Sequence, residues 1–174
     1  MKNLCAPWRI GYIRNAHQDK GCFLCSALKA RQDDRHMIVA RLPKCFAIMN
    51  KFPYNGGHLL VSPNEHVGEL EHLSPAGLRE LFGLTVQMKC LLAKIFKPQG
   101  FNIGINLGAS AGAGLLGHVH VHVVPRWVGD TNFMPVMGST KVLPQALEEL
   151  YGDLKREWDR AQGRRPRTGR GKTR

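Results

Sequence analysis

Three histidines alternate with valines near residue 120, in the run HVHVHVVPR that begins at His118. Alternate residues of a β-strand point to the same face, so His118, His120 and His122 would line one surface while the valines face the core. Each buried imidazole must find partners for two ring nitrogens, which makes packing alone a poor reason for three of them. Because histidine titrates near pH 7, the pattern favours a nucleophile or an acid–base group over an exposed strand or a three-histidine metal site.

A glycine-rich segment, GASAGAGLLG at residues 108–117, directly precedes the histidines. Glycine allows backbone N–H groups to approach an anion closely. The segment lacks a Gly-Lys-Ser/Thr ending, so it is not a Walker loop. Alone it is equally typical of a flexible hairpin connection, but ahead of a histidine strand it is better evidence for a phosphate-binding loop.

Two cysteines, Cys22 and Cys25, have the spacing of a pair of metal ligands. A single CxxC pair is ambiguous between zinc, redox chemistry and chance, and no βα pattern of the thioredoxin type precedes it. Tetrahedral zinc needs two further ligands, for which His66 and His118 are candidates. The five cysteines of the chain do not resemble a secreted disulfide framework.

Hydrophobic patterning predicts the scaffold for these residues. Strands are expected at 37–42, 45–49, 58–61, 101–107 and 118–124. A short helix is expected at 22–31, and a long one opens at Ser74-Pro75 and ends before Pro98. A final amphipathic helix covers 144 to about 162. Hairpin-like strand pairs with separate helices predict an α+β fold with an antiparallel sheet and two main helices.

Composition and charge limit the classes of protein to which the chain can belong. The chain has 174 residues, of which 43% are hydrophobic and 22% charged, which excludes a wholly disordered protein. We expect one domain over 1–160 and a basic, disordered tail over 161–174. Six of the twelve net positive charges lie in 164–174, so the rest of the chain carries +6 and favours an anionic ligand. The tail either aids solubility or makes weak nucleic-acid contacts.

The chain has no apolar run of the ~20 residues that a membrane helix needs. The N-terminus places Pro7, Trp8 and Arg9 where a signal peptide would be apolar. The sequence therefore predicts a soluble, cytoplasmic protein without membrane contact.

The histidine run resembles the signature of the histidine-triad superfamily, His-φ-His-φ-His-φ-φ, over residues 118–124. Asn50, His58 and the stretch PNEH that ends at His66 are similar to the N-terminal half of that family, and Asn106 to its phosphate-facing strand. The segments APWRIGYI, GDTNFMPVMG and KVLPQ resemble a bacterial branch that includes enzymes similar to diadenosine tetraphosphate phosphorylase. The resemblance covers about residues 5–155.

This resemblance implies a five-stranded sheet that continues across a homodimer, and it implies roles for the residues named. His120 would attack the α-phosphorus of a nucleotide and form a nucleotidyl-histidine, while His122 would contact phosphate oxygens or the leaving group. The implied substrate-binding residues are Asn50 at the ribose, Asn106 at the phosphate, His58, and the loop glycines Gly112 and Gly114, whose amides would stabilise developing charge. The implied ligands of a structural zinc ion are Cys22, Cys25, His66 and His118.

One departure from the family bears on the reaction. Many family hydrolases carry Gly-Gln-Ser/Thr before the triad, but residues 112–115 read GAGL and offer no side-chain donor. Inorganic phosphate, rather than water, could therefore be the second acceptor. The leading hypothesis is an enzyme that cleaves dinucleoside polyphosphates by phosphorolysis or hydrolysis. The alternatives are a hydrolase of nucleoside phosphoramidates or other nucleoside monophosphate conjugates, and a zinc-stapled nucleotide- or RNA-binding protein.

Overall fold

The computed structural model of the chain describes residues 21–130 and 146–163. Its first half contains two short helices followed by three strands: α1 (Phe23–Ala30), α2 (Asp33–His36), β1 (Ile38–Arg41), β2 (Cys45–Met49) and β3 (Leu59–Pro63). Its second half contains two long helices and two strands: α3 (Pro75–Phe96), β4 (Gly100–Ile105), β5 (Val121–Arg126) and α4 (Leu147–Ala161).

The five strands form one antiparallel sheet in the order β1-β2-β3-β5-β4. The predicted α+β fold, with a five-stranded antiparallel sheet and two main helices, is confirmed. Strand β5 lies between β3 and β4, so that His122 has Leu60 opposite it on one side and Gly104 on the other. The histidine strand is therefore an inner strand of the sheet, and β4 forms an edge.

The two faces of the sheet are covered differently. Helices α3 and α4 pack on one face, where Val119, Val121 and Val123 are buried in the main core, as the alternation predicts. On the other face, α1 packs against β1, β2 and β3, and among the described residues this second cluster includes none from β4 or β5. The β5–β4 part of that face, which carries the histidines, is left outside the hydrophobic cluster under α1.

Helix α3 begins and ends as its sequence predicts. The Oγ atom of Ser74 accepts the Gly77 N–H at 3.1 Å, Pro75 opens the first turn, and Lys97 ends the helix in a left-handed conformation. Helical spacing predicts Phe82 in the core-facing stripe of α3, and an apolar context predicts a buried Cys90, but both predictions were wrong. Phe82, part of the predicted core stripe, is 49% exposed, and Cys90 is exposed rather than buried, because both lie off the face that Leu81, Leu84 and Met88 turn to the sheet.

Strands β3 and β5 differ from their predicted bounds. Pairing of β5 begins at Val121 rather than His118, because β4 ends at Ile105, its partner. Upstream of that point the Val119 N–H donates to the Val67 carbonyl instead, at 2.7 Å. In β3, Pro63 is the last residue of the strand, paired with Cys45, rather than the residue that follows the strand.

Several predictions fall on residues 1–20, 131–145 and 164–174, outside the described part of the chain. They are the flanks APWRIGYI and KVLPQ, most of GDTNFMPVMG, the first residues of the final helix, and the disorder and nucleic-acid contact of the basic tail. Helix α4 runs to Ala161, beside the predicted boundary between domain and tail, and that division stays a prediction. Within the described ranges, no helix is long and apolar enough to cross a membrane.

Candidate active site and metal centre

His120 is buried and holds its ring proton on a defined nitrogen. Its side chain is 7% exposed, and its Nδ1 atom lies 2.9 Å from the backbone oxygen of His118. A carbonyl oxygen can only accept, so Nδ1 carries the proton and the lone pair lies on Nε2. Burial lowers the pKa of His120 below its usual value, against the opposing effect of this hydrogen bond. At neutral pH the residue is therefore a neutral imidazole with Nε2 as its nucleophilic atom.

A chain of hydrogen bonds also sets the tautomer of His122. The Nδ1 atom of His58 accepts the backbone N–H of Tyr54 at 3.0 Å, so the proton of neutral His58 lies on Nε2. That Nε2–H donates to Nδ1 of His122 at 2.9 Å. Nδ1 of His122 is thus an acceptor, and its own proton lies on Nε2. His122 consequently offers an N–H donor, which suits contact with a phosphate oxygen.

The predicted site residues from distant parts of the chain lie together around these rings. The ring centroids of His120 and His122 are 5.0 Å apart. Asn50 Nδ2 lies 3.3 Å from His58 Nδ1. Asn106 lines a cavity of about 190 Å³ together with His122. The structure therefore brings together His120, His122, His58, Asn50 and Asn106, whose individual roles remain predictions.

Two backbone N–H groups of the glycine-rich loop are already hydrogen-bonded within the loop. It contains a single 3-10 turn, Ala109–Ala111, that ends at Gly112 with a φ of 82°. The Gly112 N–H donates to the Ala109 oxygen at 3.0 Å, and the Ala113 N–H to the Gly108 oxygen at 3.4 Å. Gly114 makes no such bond within the described residues. The Gly112 amide is thus hydrogen-bonded within the loop, and the anion-binding roles of Gly112 and Gly114 stay predictions.

Cys22, Cys25, His66 and His118 form one cluster, with all four ligand atoms within 4.8 Å of one another. His118 Nδ1 lies 3.2 Å from Cys22 Sγ and 3.4 Å from Cys25 Sγ, and His66 Nδ1 lies 3.3 Å from Cys25 Sγ. Two thiols and two imidazoles are a donor set that tetrahedral zinc prefers. The cluster therefore could hold a metal ion.

Hydrogen bonds around this cluster orient its ligand atoms for a metal ion. The Nε2–H of His118 donates to the Pro63 carbonyl at 2.9 Å, so the Nδ1 lone pair faces the two sulfur atoms. Cys22 caps helix α1, and its Sγ accepts the Cys25 N–H at 3.4 Å, which holds both thiols on one side of the helix start. Burial raises the pKa of the Cys25 thiol, with Cys22 adding to the effect, so a bound cation is needed to keep it ionised.

His118 belongs to the cysteine–histidine cluster and also contacts His120. The ring of His118 belongs to the cluster, and its backbone carbonyl accepts the Nδ1 proton of His120. A movement of His118 would consequently change both the tautomer and the position of the His120 ring.

A family model described as the HIT domain matches residues 31–128, more than half of the chain. The chain belongs to the HIT family. It is 38% identical over 167 residues to a Mycobacterium tuberculosis protein named AP-4-A phosphorylase, covering 92% of this chain and 86% of that protein. It is also 38% identical over 84 residues to the asymmetrical bis(5'-nucleosyl)-tetraphosphatase of Schizosaccharomyces pombe, covering 48% of this chain and 46% of the relative.

Solved structures confirm the HIT fold. A zinc-bound histidine triad family protein from Mycobacterium smegmatis superposes with a TM-score of 0.65 at 21% identity, covering 82% of this chain and 96% of that one. A hypothetical histidine triad nucleotide-binding protein from Sulfolobus tokodaii gives a TM-score of 0.66 at 25% identity, covering 81% and 94% of the two chains.

The sequence analysis of this HIT protein missed Tyr54 and Asn102. The Tyr54 ring stacks on that of His122, with centroids 5.6 Å apart and planes 15° apart. Asn102 lines the cavity beside His122. The signal for Asn102 is the period of two along β4, which places it on the same face as Asn106. Tyr54 lies in an irregular loop, where no such period exists.

Gly68 lies close to the backbone of the segment that precedes the histidine triad. Replacing it with alanine should therefore destabilise the protein. A Cβ atom at Gly68 would lie 2.6 Å from the backbone oxygen of Leu116, which cannot swing aside as a side chain can. We expect the free energy of unfolding in a urea titration to fall by about 1–3 kcal/mol.

The matched control is Gly83→Ala on helix α3, where an added Cβ meets no atom within 4 Å. This change should raise the free energy of unfolding by about 0.5–1 kcal/mol, because alanine favours a helix. A Gly68→Ala protein as stable as wild type would contradict the close approach at Leu116.

Proposed function

We propose that this HIT protein cleaves dinucleoside polyphosphates, such as diadenosine tetraphosphate, through a nucleotide held on His120. The observation that carries the proposal is the hydrogen bond from His120 Nδ1–H to the His118 carbonyl, which leaves a neutral Nε2 lone pair in a buried site. Two relatives with names for dinucleoside tetraphosphate chemistry, and the cavity beside His122, support the same substrate class.

The proposed reaction has two displacements at one phosphorus. In the first, Nε2 of His120 forms a bond to the α-phosphorus and the bond to the bridging oxygen breaks, releasing the remaining nucleoside polyphosphate. The Nε2–H of His122 stabilises the charge on the phosphoryl or leaving oxygens. In the second, an acceptor oxygen attacks the same phosphorus and returns the bonding pair to His120.

Inorganic phosphate is the acceptor that the loop favours. Side chains of residues 112–115 provide no hydroxyl or amide to orient a water molecule. Phosphate brings its own proton and hydrogen-bonding oxygens, and the M. tuberculosis relative is named a phosphorylase. This acceptor would convert the adenylyl group on His120 to ADP, whereas water would convert it to AMP.

Product analysis tests this function. The protein is incubated with diadenosine tetraphosphate, with and without inorganic phosphate, and the nucleotides are separated by chromatography. ATP and ADP are expected with phosphate, and ATP and AMP would indicate hydrolysis. Absence of products in both conditions would overturn the proposal. Turnover of adenosine phosphoramidate alone would support the phosphoramidate alternative instead.

We also propose that the metal of the cysteine–histidine cluster is zinc, in a structural role. Four protein ligands complete a tetrahedral shell and leave no open position for a substrate or water. Zinc would link α1 to the turn after β3 and to His118, two residues before His120.

A homodimer that extends the sheet across edge strand β4 is the proposed assembly. This strand, GFNIGI, lies at the edge without a charged residue to block pairing, and Ile103 is 48% exposed. On α3, Phe82 is 49% and Val86 60% exposed.

Light scattering should give twice the mass of one chain. Val86→Glu combined with Ile103→Glu should give monomers while His72→Glu, elsewhere on the surface, should not, and a monomeric wild type would refute the assembly.

A further inference from the structure

A second cavity continues from the candidate active site along the sheet. It has a volume of about 240 Å³ and is lined by Tyr54, Asn55, Asn102, Val124, Arg126 and Asp130. Three of these residues, Tyr54, Asn102 and Val124, also line the cavity beside His122. The two cavities are therefore parts of one groove, which we call the distal groove where it lies beyond His122 towards Arg126.

Gly104, which lines the cavity beside His122, and Gly100 leave open space on strand β4. In the pairing of β4 with β5, Gly104 lies opposite His122, Asn102 opposite Val124, and Gly100 opposite Arg126. A Cβ atom at Gly104 or Gly100 would meet no atom within 4 Å. Arg126 lies four positions after His122 on β5, or about 13 Å along the strand. The groove is thus long enough to take a further part of a substrate whose phosphorus lies at His120.

The charge of the distal groove favours an uncharged group over another phosphate. Its guanidinium group, that of Arg126, donates to the Asp130 carboxylate from Nε at 2.7 Å and from Nη2 at 2.8 Å. Among the described residues that line this cavity there is no other lysine or arginine. The Tyr54 ring and Val124 add apolar walls. Such walls suit a planar, uncharged ring system, and the guanidinium group of Arg126 is already paired with a carboxylate.

Asn102 is oriented to donate into this groove. Nη1 of Arg126 donates to Asn102 Oδ1 at 2.6 Å, which identifies the oxygen end of the amide and holds it. Nδ2 then carries two N–H groups, for which no acceptor is found among the described residues. The ring nitrogens and carbonyls of nucleobases are acceptors of this kind.

We propose that the distal groove binds the second nucleoside of a dinucleoside polyphosphate, with the Asn102 amide donating to its base. The inference rests on the proposed function and adds to it where the departing half of the substrate lies. When His120 attacks diadenosine tetraphosphate, AMP stays on the histidine and ATP departs. The adenosine of that ATP would occupy the distal groove, so binding energy from a remote part of the substrate would hold the scissile bond at His120.

The test compares two substrates that differ only in the second nucleoside: diadenosine tetraphosphate and adenosine tetraphosphate. Both would give the same adenylyl-histidine. In Asn102→Ala, we expect kcat/KM for the dinucleoside to fall about threefold to tenfold, the effect of one neutral hydrogen bond. The value for adenosine tetraphosphate should stay at the wild-type level. Asn102→Asp, which keeps an acceptor for Arg126 but loses the N–H donors, should lower the ratio of the two values in the same direction.

The outcomes separate this inference from the proposed function. If both substrates lose kcat/KM equally, the groove contacts phosphate and the nucleoside assignment is wrong. If neither substrate is affected, Asn102 does not contact the substrate. If the wild-type protein converts neither substrate, the proposed function itself fails. Circular dichroism of both variants establishes that they are folded, which is expected because Asn102 is exposed on an edge strand.

Discussion

Replacing His120 with alanine should lower kcat for diadenosine tetraphosphate by at least about 10⁴-fold. The variant lacks the nitrogen that forms the covalent bond, and no other group in the described site offers a neutral, unprotonated ring nitrogen at the same position. The protein should remain folded, because the core-facing valines on either side of His120 are unchanged. Steady-state kinetics with each variant measures the effect, and His72→Ala, on the exposed surface, serves as the control.

Trapping the covalent intermediate tests the role of His120 independently of steady-state kinetics. Wild-type protein mixed with substrate labelled at the α-phosphorus and quenched within one turnover should carry label on His120. Peptide mass mapping after digestion identifies the residue. A fully active His120→Ala protein, or label on another side chain during turnover, would contradict the covalent mechanism.

Removing both thiols of the metal cluster should abolish metal binding and lower stability. We expect about one zinc ion per chain in the wild type and none in the Cys22→Ser, Cys25→Ser double variant, measured by atomic emission. Structural zinc supplies about 10–16 kcal/mol in isolated zinc fingers, which are unfolded without it. This domain has a separate hydrophobic core, so the double variant should fold but melt at a lower temperature.

The same variant should also lose activity, although no ligand of the cluster needs to touch the substrate. Without the metal, the ring of His118 loses its ligand bond, and its carbonyl no longer holds the Nδ1 proton of His120 as rigidly. The expected signature is a lower kcat with little change in KM. Cys90→Ser, which changes an exposed thiol on α3, is the matched control and should retain metal, melting temperature and activity. If metal-free wild-type protein had an unchanged melting temperature and kcat, zinc would contribute neither to stability nor to activity.

Local patterns were sufficient for the parts of the protein that depend on neighbouring residues. The period of two along β5 predicts that valines enter the core while the histidines take the other face. Ser74 and Pro75 predict the start of α3, because a cap needs only the next three residues. The CxxC spacing predicts paired ligands for a similar reason, since both thiols lie at the start of one helix.

Contacts between distant residues were decided only by the tertiary structure. The sheet order places β3 beside β5, which brings His58 to His122, 64 residues away, and determines the tautomer of the His122 ring. The same pairing brings the Pro63 carbonyl to His118, 55 residues away, so the lone pair of that ring faces the thiols. Sequence periodicity can indicate which face a side chain occupies, but it carries no information about which strand lies next to it. The His122 tautomer, the orientation of the His118 ring and the distal groove beyond His122 all depend on which strands lie side by side.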